Sequence, residues 1–460
     1  MSRIWAVARH MIAEGIRMKI ALVFIGIIVI ILPVMPFAVA GDGVTITSRV
    51  QSFLAYSLGS VSFLLSLLTV FLSCGSLSNE IQMKQILMIV SKPIPRWHFF
   101  AGKWLGIVVL NAVLLLFTGV TVWGFTYYLK GMPTSVADDR ETLEYEVLSV
   151  RHGVKPQEPD FESIVEEKIR RLKEEDRLSD MAYSSMKDIH QRLREDLKIQ
   201  WRTFVPGEYT GFIFNNLMVD REKEDYIHLR FKPISPSGVD DVMFRARWMC
   251  GDPQYPNTMT DQNVGEFVCE RFHRIVIPTH AVNPKGKIFF GKQNIDTKET
   301  ITFEGDESFE LFFPIGSFHW NLFRALTIIW CRLAFLAVMG LLASSFLSFP
   351  VACLACMLVL LVASFSGFFS QAIEYANIAP SGEDPLWIVG PLLRPLGAVF
   401  VWVVPDFSKF DPIGNVISGR VVPLMWVIQS VLILIFIKGM ILGILGCVIL
   451  TKRELAQVVV

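Results

Sequence analysis

The chain has 460 residues, of which 52% are hydrophobic and 19% charged, with a mean hydropathy of +0.46; that balance excludes an ordinary soluble enzyme and points to a membrane protein. Its 43 basic and 43 acidic residues cancel, so no global field favours nucleic acid as a partner, and what informs is where the charges lie.

The first segment, SRIWAVARHMIAEGIR, places Ile4, Trp5, Ala8, Met11, Ile12 and Ile16 on one helical face and Arg3, Arg9, Glu14 and Arg17 off it. That pattern predicts a helix lying in the membrane interface. A crossing needs roughly 20 apolar residues, and three uncharged runs follow: Ile20 to Ala40, Val50 to Asn79 and Trp104 to Leu129. The first is too long for a signal peptide and is followed by further spans. Leu333 to Ile373 is uncharged throughout, too long for one crossing, and predicts a hairpin turning at SSFLSFP, Ser344 to Pro350, where the proline cannot continue the preceding helix. Val421 to Thr451, interrupted only by Lys438, completes six spans.

Arg3, Arg9, Arg17 and Lys19 precede span 1, Lys84, Lys92, Arg96 and Lys103 lie between spans 2 and 3, and Lys452 and Arg453 follow span 6. The positive-inside rule makes that side cytoplasmic, with both termini inside.

The segment between spans 3 and 4 is then a large extracytoplasmic insertion. Its first part, residues 159–201, has Met186, Ile189, Leu193 and Leu197 at helical spacing and the i,i+4 pairs Glu166 with Arg170 and Glu167 with Arg171, which predict a helix or helical hairpin. From Phe204 to residue 315, short alternating runs such as YIHLRFKP, VMFRARWMC and FELFFP predict a β-sandwich. Cys250 and Cys269 lie there as a candidate disulfide or as two separate thiols. Before the last span, PLGAVFVWVVP is too short to cross and is bracketed by prolines, so residues 385–420 are read as a re-entrant outer segment.

No GxxxxGK[ST], HExxH or GxSxG occurs, and Cys353-x-x-Cys356 falls inside a span, where core packing outweighs a metal or redox role. The chain is therefore not expected to be an enzyme and to bind no cofactor itself. Arg332 and Lys438 fall within apolar runs; each either snorkels to the headgroups or faces a pore, where it would contact substrate.

The stretch SNEIQMKQILMIVSKPIPRWHFFAGKWLG, residues 78–106, carries Ile81, Gln85, Met88 and Ile89 along one face with Glu80 and Lys84 in i,i+4 relation, predicting a short amphipathic helix over 80–90 ended by a Pro-stiffened turn. It resembles the segment between the second and third spans of ABC-2 type exporter permeases, with Glu80, Lys84, Ser91, Pro93, Arg96, Gly102 and Lys103 at the motif positions. LSFPVACLACMLVLLVASF, PDFSKFDPIGNVISGRVVP and TKREL are similar to other landmarks of that family, and the resemblance covers about 1–130 and 320–460. The large outer insertion departs from the family's compact pattern.

The resemblance implies a permease subunit of an ATP-driven exporter, working as a dimer with a second permease subunit in the bacterial cytoplasmic (inner) membrane. ATP and Mg²⁺ would be held by a separate cytosolic ABC ATPase, gripped through Glu80, Ile81, Lys84, Gln85, Pro93 and Arg96. The expected fold class is an α-helical polytopic membrane protein with an inserted α+β domain. It divides into 1–130 (interfacial helix, spans 1 to 3 and the coupling helix), 131–318 (outer domain) and 319–460 (spans 4 to 6). Membrane lipids, and a periplasmic partner on the outer domain, complete the expected contacts. The alternatives are a membrane-anchored binding or sensing protein without transport, and a membrane enzyme.

Overall fold

A computed structural model describes residues 2–39, 41–82, 95–134, 136, 138–174, 186–207, 209–219, 226–235, 242–295, 300–303, 308–366, 407 and 410–452. The chain divides into two compact units, 1–150 together with 316–460, and 151–315. The residues after span 3 up to 150 belong with the helical unit, so the outer unit begins later than the expected boundary at 131 and ends at 315.

In the helical unit, α1 (Ser2–Arg17) is followed by α2 (Lys19–Ala38), α3 (Ile46–Gln82) and α4 (Arg96–Lys130). A short α5 (Asp139–Leu143) runs into a π-turn, Glu144–Leu148. The unit resumes with α8 (Phe318–Phe346), α9 (Phe349–Ser364), α10 (Pro412–Ile417) and α11 (Leu424–Lys452), whose middle, Val431–Gly439, is π-helical. Five of these, α2, α3, α4, α8 and α11, are long and apolar enough to cross a bilayer, and α9 is a shorter apolar helix. The chain is a multi-pass membrane protein. The break between α8 and α9 falls at Leu347 and Ser348, within the expected turn, and Pro350 sits in the first turn of α9, where its missing N–H costs nothing.

The principal core of this unit brings together Ile28 and Leu32 of α2, Phe53 and Leu65 of α3, Val122 of α4 and Ile328 of α8. Helix α8 is enclosed along most of its length, whereas α2 and α11 present most of their apolar side chains outward among the described residues. Such faces suit lipid. Helix α1 divides its apolar residues: Ala8 and Met11 are buried against α4, while Trp5 and Ile16 are exposed. It lies on the bundle with one stripe and offers the other outward, rather than presenting a single membrane-facing side.

The outer unit contains α6 (Phe161–Glu174) and α7 (Met186–Arg202), paired through Val165, Ile169, Ile189 and Leu193 as a helical hairpin. Glu167 and Arg171 form the expected i,i+4 ion pair at 2.5 Å. Strand β1 (Ser149–Val154) precedes the hairpin, and β2 (Thr203–Phe204), β3 (Tyr209–Phe214), β4 (Tyr226–Phe231), β5 (Met243–Gly251), β6 (Thr260–Val268), β7 (His273–Pro278), β8 (Ile288–Asn294), β9 (Ile301–Thr302) and β10 (Phe309–Ser317) follow it. They form four-stranded sheets in the orders β1-β10-β4-β7 and β3-β8-β5-β6, and a two-stranded β2-β9 ribbon. Alternate residues of the two larger sheets fill one core around Trp248, Phe231, Phe290, Phe303 and Phe309, as the two-residue period requires.

Cys250 and Cys269 do not pair. The β5–β6 register sets Met243 opposite Val268 and Cys250 opposite Thr260, and the Cys269 N–H bonds the Val242 carbonyl. The two thiols therefore sit at opposite ends of the ladder, some eight residues apart along a strand, or about 26 Å at roughly 3.3 Å per residue. A disulfide tolerates about 7 Å between Cα atoms. Both side chains are buried.

Candidate functional site

The polar stretch between α3 and α4 is anchored at both ends by side chains that tie helices to one another. The expected separate helix beginning at Glu80 is corrected in its start, because α3 continues unbroken through Gln82 and carries Glu80 and Ile81 in its last described turn. The apolar residues that precede Glu80 extend the same helical ladder past the charge. Lys84, Gln85, Ser91 and Pro93 lie outside the described residues.

Glu80 is buried, as is Lys103 on α4, and the Lys103 ammonium lies 2.9 Å from Glu80 Oε2. The same Nζ donates to the Ser76 carbonyl at 3.0 Å and sits 5.2 Å from the centre of the Phe99 ring. Ser76 and Glu80 are one turn apart on α3, so a single lysine clamps the last turn of one helix to the second turn of the next. Burying two charges is tolerable because each lies against its opposite, although Glu80 Oε2 receives no aligned hydrogen bond.

Arg96, the first residue of α4, makes the second tie. Its Nη1 donates to the carbonyls of Leu450 at 2.6 Å and Thr451 at 2.8 Å. Those carbonyls belong to the last described turn of α11, and the guanidinium gives each a donor from another helix. Between the ties, Phe99, Phe100, Leu72, Leu77, Met11 and Leu450 form one apolar cluster joining α1, α3, α4 and α11.

Helix α1 closes over this cluster through two glycines of α4. A Cβ on Gly102 would lie 2.6 Å from Val7 Cβ, and one on Gly106 would lie 2.7 Å from the Ala8 carbonyl oxygen and 2.7 Å from Met11 Cβ. The Gly102-Lys-Trp-Leu-Gly106 spacing is thus a small-xxx-small contact that lets two backbones approach. In consequence α1, α3, α4 and α11 are packed together through one shared cluster on either side of 83–94.

The other sequence candidates lie elsewhere. Arg332, midway along α8, donates to the Phe407 carbonyl at 2.6 Å and to the Phe410 carbonyl, and its guanidinium lies 5.3 Å from the Phe407 ring centre. It ties the segment before α10 to α8. Lys438 is half-buried in the π-helical stretch of α11. Neither side chain is brought to Glu80 or Arg96.

Two features had no clear mark in the sequence. Asp139 caps α3 from far along the chain: its carboxylate accepts from the Ile46 N–H at 2.6 Å and from the Thr47 hydroxyl at 2.8 Å. Burial alone would raise its pKa, but the bonds from Ile46, Thr47 and Thr134 outweigh that and hold the carboxyl below the usual carboxylate range. Asn321 on α8 likewise holds the approach to α11, donating to the Arg420 carbonyl at 2.8 Å and accepting from the Val422 N–H at 2.7 Å. Only the first had a partial cue, since an aspartate is suited to a helix N-terminus, but nothing local names which helix.

Chemically, Glu80 and Arg96 each tie one helix to another. Among the described residues, no group of three or more His, Cys, Asp and Glu side chains is spaced to hold a metal ion. Comparison of the chain with protein-family models, with curated proteins and with solved structures returns no match, so the site is read from its own geometry.

Proposed function

We propose that this chain is the permease subunit of an ATP-driven exporter in a bacterial inner membrane, with both termini cytoplasmic and the ATPase supplied by a separate cytosolic subunit. The observation that carries this reading is the double tie on either side of the 83–94 segment: Glu80 with Lys103 on one side, and Arg96 with the Leu450 and Thr451 carbonyls of α11 on the other. A partner pushing on that segment would act on α1, α3, α4 and α11 together, because their ends share one packed cluster. Glu80 and Arg96 act here as transmitting residues inside the bundle, while Lys84, Gln85 and Pro93 would supply the surface that the ATPase grips. The outward apolar faces of α2 and α11 would serve lipid and a second copy of the chain.

A second reading, a membrane-anchored binding protein without transport, is favoured by one observation: the 151–315 unit is compact and has its own large aromatic core. Purification of the tagged chain from its native membrane separates the two. The transport reading expects a stoichiometric subunit with a nucleotide-binding cassette and ATP hydrolysis in the purified complex. Isolation of the chain alone, with no hydrolysis after reconstitution, favours the second.

A further inference from the structure

Two long helices of the helical unit carry an exposed aromatic ring near each end, at the same interval. On α4, Trp97 and Trp123 are exposed and stand 26 residues apart; on α8, Trp320 and Phe346 are exposed and again stand 26 residues apart. At roughly 1.5 Å per residue each interval is about 39 Å, and a tilt of about 20° shortens it only to about 37 Å. The hydrocarbon core of a bilayer is about 30 Å thick, or about 40–45 Å with its headgroup layers, so rings at that interval fall one in each headgroup layer. Between its two tryptophans α4 turns Val113, Leu116, Phe117 and Val120 outward, within a run that carries no charge from Trp104 to Leu129.

The two helices are in step. The Trp123 Nε1–H donates to His319 Nδ1 at 2.8 Å, and the Tyr127 ring stacks on the same imidazole with centroids 5.8 Å apart, so the end of α4 and the start of α8 lie at one level. Phe37 of α2 reaches the same level beside Tyr128, at 6.2 Å between ring centres. At the opposite end Phe99 and Phe100 of α4 share a cluster with Ala337 and Leu341 of α8. Trp123, Tyr127, Tyr128, His319 and Trp320 are all exposed, and each joins an apolar ring to a polar N–H or O–H. Side chains of that kind collect where hydrocarbon meets water.

We propose that the collar of Trp123, Tyr127, Tyr128, His319 and Trp320 is the surface that engages the phospholipid headgroup layer at the C-terminal end of α4, with Trp97 and Phe346 marking the opposite layer. Lipid is the occupant because the collar continues the uncharged outward stripe of α4 and because the interval to the second set of rings is a bilayer's own dimension, which a protein partner would not impose. The inference rests on the chain being a multi-pass membrane protein and not on the transport reading.

The test uses the full chain reconstituted in phosphatidylcholine vesicles, with a nitroxide attached in separate variants at V113C, V120C, W320C and W97C, all exposed positions, and the unsubstituted chain as the background from its own cysteines. Relaxation of each label by oxygen, which concentrates in hydrocarbon, is compared with relaxation by a water-soluble nickel chelate. The oxygen-to-nickel ratio should be greatest at V113C, intermediate at V120C, and about tenfold lower than at V113C for both W97C and W320C, since the polar chelate is excluded from the core. Y128C, exposed in the same collar, takes the place of W320C should that variant fold poorly. Equal ratios along α4, or W97C and the collar position as deep as V113C, overturn the proposal. So does a V113C label shielded from both relaxing agents, which marks a second copy or another protein, rather than lipid, over the stripe.

Discussion

Replacing Lys103 by methionine removes the charge that Glu80 faces while keeping most of the side chain's volume. Side-chain exposure in the pair is 3% for Lys103 and 9% for Glu80, so water does little to replace the lost partner. At 2.9 Å the Coulomb attraction is about 6 kcal/mol for an effective dielectric near 20. Desolvation of both ions offsets part of that, and breaking one side of a buried pair costs about 3–5 kcal/mol. The Nζ to Oε2 contact is an ion pair without the alignment of a good hydrogen bond, which favours the lower end, about 3 kcal/mol. Reversible unfolding in mixed micelles would measure it for K103M, E80Q and the double variant. E80Q/K103M should recover much of the loss, with a coupling energy of about 1.5 kcal/mol or more. Additive single effects, or K103M within about 0.5 kcal/mol of wild type, would refute the clamp.

Three further outcomes follow from the same structure. Asp139→Ala should destabilise the helical unit by about 1–2 kcal/mol through loss of the α3 cap. Because the folded carboxyl is held below its ordinary value, its contribution is complete above the ordinary carboxylate range and is lost as pH falls through the folded pKa; wild type and D139A should therefore converge in stability in acid. Gly106→Leu should lift α1 from α4 and render Met11, buried in the wild type, open to cysteine-scanning reagents when tested as M11C, whereas M11C alone stays protected. Under denaturing, non-reducing conditions, alkylation should label Cys250 and Cys269 fully without prior reduction.

Five of the six expected spans were legible because an uncharged run of sufficient length has few alternatives in a membrane, while the run after Ser348 gives only the shorter α9 among the described residues. The helical hairpin and the sandwich were legible because their apolar periods, near 3.6 and 2, differ plainly. Glu80 shows where such reading stops. A lone acid after a long apolar run reads as the start of a new solvated element, yet a lysine 23 positions later turns it into buried structure within the same helix. The cysteines show the same limit, since strand existence follows from pattern while register, which separates Cys250 from Cys269, follows from long-range pairing. Trp5 and Ile16 share a helical face with Met11 in projection, but the closeness of Gly102 and Gly106 decides which of them is buried.

The most direct test of the account is site-specific photocrosslinking from the 83–94 segment in native membranes. A photoreactive residue at Gln85 should yield an adduct whose peptides carry a nucleotide-binding cassette, and the yield should change when ATP is trapped unhydrolysed. The same residue at Trp123, on α4 far from that segment in sequence, should yield no cassette adduct. If Gln85 captures no cassette protein while the chain is folded and abundant in the membrane, the transport reading is contradicted.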